Sequence, residues 1–99
     1  MIRIEYARKR GENRLYVTGH AGYAEHGQDI VCAGVSGITY ALCGWLCKHV
    51  QGAEISLGEG KTFILTRQNA NIDTAFEVAL SGYSLIAAKY PEHVSLTID

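Results

Sequence analysis

Apolar residues recur in two rhythms along this chain, and the changes of rhythm mark its elements. Ile2, Ile4 and Tyr6 alternate with Arg3, Glu5 and Ala7, the period of a strand with one buried face. Arg10-Gly11-Glu12-Asn13 supplies turn-forming residues before Leu15 and Val17 alternate against Tyr16 and Thr18, which predicts a hairpin or near-hairpin. After Asp29 the period lengthens. Val31, Val35, Ile38, Leu42, Trp45 and His49 step by four and three, so a long helix with one apolar stripe is expected, closed by Gly52. Gly34 and Gly37 lower its helix propensity by about 1 kcal/mol each relative to alanine, which suggests close packing against a neighbouring backbone. Ile55 and Leu57 lead through Gly58-Glu59-Gly60 into Thr62-Phe63-Ile64-Leu65-Thr66, a second hairpin. Ile72, Phe76, Ala79, Tyr83, Ile86 and Tyr90 predict a second helix, capped by Asn69 or Asn71 and stopped by Pro91, and Val94, Leu96 and Ile98 a last strand. The order β-β-α-β-β-α-β implies one α+β domain over residues 1–99, a two-layer sandwich with a mostly antiparallel sheet and both helices on one face. Strand order is not specified by this pattern.

The chemistry concentrates between Gly19 and Ala33. His20 leaves a strand and Cys32 enters a helix, so a proton acceptor and a nucleophile flank one loop. Asp29 stands where an N-cap belongs, its carboxylate accepting from Val31 or Cys32, which puts Cys32 in the first helical turn. Such a position beside a histidine favours the reactive thiolate through the helix dipole. Gly19, Gly22 and Gly27 let the loop from Ala21 to Gln28 move, as a loop that admits and then closes over a substrate must, with Tyr23 as a lid residue. His26 is a rival base in that loop, but a strand end holds His20 more firmly within reach of the thiol. His49 and His93 are expected away from the site. Cys43 and Cys47 share the helix, but Cys32 lies about 16 Å from Cys43 at 1.5 Å per residue, too far for one metal ion. Packing is the expected role of that pair, and no metal is expected.

The run GHAGYAEHGQDIVCAGVS resembles the signature of the Prp family of ribosomal-processing cysteine proteases, in which GHA, a glycine-bearing loop, G-x-D-I-V-C-A and a nearby serine recur. Gly19-His20-Ala21, Gly27, Asp29 to Ala33 and Ser36 carry the likeness. It implies Cys32 as nucleophile and His20 as general base, with Gly19, Asp29 and Ser36 supporting and Ala21, Gly22, Tyr23 and Gly27 in a substrate loop. It also implies a cysteine endopeptidase without a cofactor, acting on a short N-terminal extension of ribosomal protein number twenty-seven of the large subunit. An apolar groove for aromatic residues before the cut is then expected near the dyad. A phage structural protein with a similar peptide is the alternative substrate.

Composition narrows the partners. Nine basic and ten acidic residues give a net charge of −1, which argues against holding nucleic acid by charge. Arg3, Arg8, Lys9, Arg10 and Arg14 cluster near the first hairpin and read as a solvated turn. A chain of 99 residues, 47% hydrophobic, has one core with little margin, so a homodimer is expected. With no apolar leader ahead of the first strand, no membrane partner and three unpaired cysteines, a cytoplasmic location is expected. Two other classes remain open at the level of residues: a non-catalytic, ribosome-associated binding module, and a thiol redox or acyl-transfer enzyme, the redox form disfavoured by the lack of C-x-x-C.

Overall fold

The computed structural model describes residues 1–25 and 27–99. Strands β1 (Ile2–Lys9) and β2 (Glu12–Thr18) pair antiparallel around Arg10 and Gly11, whose φ angles of 55° and 78° form a two-residue turn that matches the strand twist. The second hairpin joins β3 (Glu54–Gly58) to β4 (Lys61–Arg67), and β4 pairs with β2. β5 (Val94–Ile98) runs parallel to β1, completing the order β3-β4-β2-β1-β5. The expected element order holds, and the one parallel pairing lies at the β1–β5 edge.

Alternation puts Ile2, Ile4, Tyr6, Leu15 and Ile64 on one face, where they form a core with α1 (Ile30–His49) and α2 (Ala70–Lys89). The other face carries Tyr16 against Phe63, ring centroids 4.7 Å apart. Asn69, rather than Asn71, caps α2, its side chain accepting from the Ile72 N–H. In α1 the buried set is Val31, Val35, Thr39, Leu42, Cys43 and Leu46, while Ile38 and Trp45 are half-buried and His49 is exposed. The stripe therefore rotates relative to the expected one, because α1 must meet both the sheet and α2. Its polar member is satisfied: the Thr39 hydroxyl donates to the Val35 carbonyl at 2.8 Å and lies 2.6 Å from the Tyr83 hydroxyl. Burial pushes the Tyr83 phenol up to about 12, with the Thr39 hydrogen bond opposing the rise.

The helical glycines pack differently from expectation. Gly34 faces the Ile86 side chain of α2, where a Cβ would sit 3.3 Å from Cδ1, and Gly37 faces open space. The tighter helix contact is at Gly82, over which Ile38 packs.

At the turn end of β1 and β2, Asn13 is fully buried and its amide donates to Asp73 at 2.9 Å, while its oxygen accepts from the Tyr6 hydroxyl. Arg8 donates to that same hydroxyl at 2.8 Å and to the Asp73 carbonyl at 3.2 Å. Arg14 pairs with Glu12 and Lys9 with Asp99. Three of the clustered basic residues thus have partners within the chain.

The Thr39–Tyr83 pair generates a stability prediction. Thr39→Val strips a buried hydroxyl of its partner and costs about 1–3 kcal/mol, lowering Tm by roughly 4–8 °C per kcal/mol in a domain of this size. Thermal melts of Thr39→Val, Tyr83→Phe and the double variant should show the double less destabilised than the sum of the singles.

Candidate active site

Three segments converge where β2 ends. The Gly19 N–H donates to the Gly60 carbonyl at 2.9 Å, tying the strand end to the β3–β4 turn. A Cβ on Gly19, whose φ is 90°, would overlap the Met1 carbonyl oxygen, so only glycine lets β2 leave the sheet beside the start of β1. His20 follows at once. Its imidazole lies over Gly60, where a Cβ would come within 2.8 Å of Nε2. Gly60 thus forms the floor under the ring, a position outside the motif that the sequence reading did not single out.

Asp29 organises the other side. Oδ1 accepts from Val31 and Cys32 at 3.0 Å each, which makes Asp29 the N-cap of α1 and Cys32 its third residue. Oδ2 accepts from Tyr23 at 3.0 Å and Ala24 at 3.3 Å. Burial opposes ionisation of this carboxyl, but the N–H groups of Cys32, Tyr23, Ala24 and Val31 outweigh it and hold the group below the usual carboxylate range.

His20 and Cys32 open onto the same two clefts. One, of about 520 Å³, also meets Gly60, Ser36, Thr39 and Tyr40. The other, of about 460 Å³, runs between Gly22, Gly27, Asp29 and Glu59. Ser36 stands one turn beyond Cys32 and lines both. Glu59 enters from the β3–β4 turn, a carboxylate that the spacing of the motif gave no reason to expect. His26 lies outside the described residues.

The amides at the start of α1 are committed to its cap, as expected: Val31 and Cys32 donate to Asp29 Oδ1, and Ala33 donates to the Asp29 carbonyl. The Cys32 sulfur accepts from the Ala21 N–H at 3.2 Å. Where a loop free to move is expected from Ala21 onward, its first half is anchored: Ala21 is buried, Tyr23 and Ala24 bond to Asp29, and Tyr23 lies edge-on to Tyr90 and His93. His93, expected elsewhere, has Nδ1 2.9 Å from the Ala21 carbonyl. The remaining cysteines diverge, Cys43 buried and Cys47 exposed, with burial, then Cys47, pushing the Cys43 thiol up.

Two outcomes follow. Gly60→Ala should displace the His20 ring, visible in its 15N NMR shifts, whereas Gly11→Ala, with a similar φ of 78° and nothing within 4 Å, should cost stability and leave those shifts in place. Because the folded-state value of Asp29 is lowered, its ionised contribution is complete above the ordinary carboxylate range and disappears as pH falls through the lowered value. The Tm advantage of wild type over Asp29→Asn should therefore be constant above about pH 5 and shrink below about pH 4.

Comparison with known proteins bears on family and fold. The family model described as cysteine protease Prp matches residues 1–95. The ribosomal processing cysteine protease Prp of Mycoplasma genitalium is 34% identical over 95 residues, 95% of this chain and 92% of that protein. A crystal structure of the essential ribosomal processing protease Prp from S. aureus with a covalently linked product peptide superposes with a TM-score of 0.88 at 23% identity, covering 100% of both chains. The same S. aureus protease in complex with a substrate peptide gives a TM-score of 0.77 at 24% identity, again over 100% of each. At these identities the two structures speak for the fold, and the sequence match carries the kinship. This chain belongs to the Prp family of cysteine proteases.

Proposed function

We propose that this protein hydrolyses a peptide bond with Cys32 as nucleophile and His20 as proton carrier, and that its substrate is the N-terminal extension of ribosomal protein number twenty-seven of the large subunit. The observation that carries the reading is that the Cys32 sulfur, in a capped first helical turn with a backbone N–H on it, shares its clefts with His20. His20 takes the thiol proton as sulfur attacks the scissile carbonyl, then delivers it to the departing amine as the C–N bond breaks. Water attacks the resulting thioester, giving its proton to His20, which returns it to sulfur. The Ala21 N–H, freed as sulfur becomes acylated, is then available to the carbonyl oxygen.

The substrate rests on the relatives' role in ribosomal processing and on the cleft's walls. Val17, Leu57 and Tyr40 line the cleft of about 520 Å³ with Cys32, and Leu57 and Tyr40 are 52% and 62% exposed. Such a surface suits aromatic side chains of an extended peptide.

Cleavage of a peptide spanning the extension, with the new N-terminus sequenced, tests the reading. Cys32→Ala and Cys32→Ser should abolish cleavage with Tm little changed. His20→Ala should lose about 10²–10⁴ in kcat, and His26→Ala should keep most activity. An inactive His26→Ala beside a fully active His20→Ala would reverse the assignment of the base, and turnover of small thiol or acyl substrates without peptide cleavage would overturn the protease reading.

A further inference from the structure

We propose that His93 is a positioning residue for the cysteine site, holding the Ala21 N–H on the Cys32 sulfur; this rests on Cys32 being the nucleophile. The residue is itself well anchored. Its carbonyl accepts from Ile2 at 2.9 Å and its N–H donates to the Tyr90 carbonyl at 2.9 Å, so it is fixed to β1 and to the end of α2. From that base Nδ1 reaches the Ala21 carbonyl oxygen at 2.9 Å. A carbonyl only accepts, so Nδ1 carries the hydrogen.

The same imidazole packs edge-on against Tyr23, ring centroids 5.4 Å apart at 82°, and Tyr23 meets Tyr90 at 5.4 Å and 77°. Ala21 is thereby held on both sides of its α-carbon: its N–H on Cys32 Sγ at 3.2 Å and its carbonyl on His93. Those two groups belong to successive peptide planes, so fixing the carbonyl limits the rotation by which the N–H would swing off the sulfur. A donor aimed at sulfur meets the negative charge that sulfur carries as it attacks. His93 is not among the residues lining either cleft, so its effect passes through Ala21.

The three cysteines provide the assay. Iodoacetamide labelling resolved by mass spectrometry reads Cys32 against exposed Cys47 as reference and buried Cys43 as a monitor of unfolding. In His93→Ala the Cys32 to Cys47 rate ratio should fall about five- to tenfold, the size expected for one ordinary hydrogen bond lost. kcat on the peptide should fall in parallel with KM within about twofold, as for an interaction made mainly with the reacting groups. His93→Asn, whose amide nitrogen takes the place of Nδ1, should restore most of both, and His93→Gln, with its nitrogen one bond further out, should not. An unchanged ratio in His93→Ala, or equal losses in the Asn and Gln variants, overturns the proposal. Should Cys43 become labelled in His93→Ala, the Asn and Gln pair decides. If the wild-type protein cuts no peptide, the protease reading fails separately, while the labelling ratio still decides the role of His93.

Discussion

One carboxylate holds the site together. Asp29 sends Oδ1 to the first turn of α1 and Oδ2 to the loop that follows His20, so the helix start and the loop become one unit. Without it, the first-turn amides of α1 and the amides of Tyr23 and Ala24 lose the same acceptor. The start of α1 that carries Cys32 and the loop at Tyr23 and Ala24 are therefore tied to a single anion, and the four N–H groups keep it ionised.

A second constraint is steric. β2 can turn out of the sheet only because Gly19 has no side chain, and His20 can lie over the β3–β4 turn only because Gly60 has none. These two absences of a Cβ, just beyond the Thr18–Lys61 pair that ends the β2–β4 ladder, put the imidazole on the cleft wall. The far end of β1 and β2 is built on another basis. There Asn13, Tyr6, Arg8 and Asp73 share a buried network that fastens α2 to the sheet.

α1 shows how context decides the meaning of apolarity. By length and composition it is apolar enough to cross a membrane, yet its buried residues face the sheet and α2, including a threonine whose hydroxyl is satisfied by Val35 and Tyr83. It reads as the core helix of this fold, with Ile38 seated on Gly82 of its neighbour.

Periodicity and end signals were enough to determine the seven elements, because alternation, helical spacing, Asp29, Asn69 and Pro91 act within a few residues of one another. The motif likewise singled out His20, Asp29, Cys32 and Ser36, all four of which line the cleft of about 460 Å³. Tertiary structure alone decided the strand order, the rotation of the α1 stripe toward α2, and the approach of Gly60, Glu59 and His93. Each depends on contacts between distant segments: the His93 imidazole meets Ala21 across 72 residues. No local pattern of hydrophobicity, turn chemistry or motif spacing encodes such a meeting, because it follows from where β5 lies beside β1 after the whole sheet has formed.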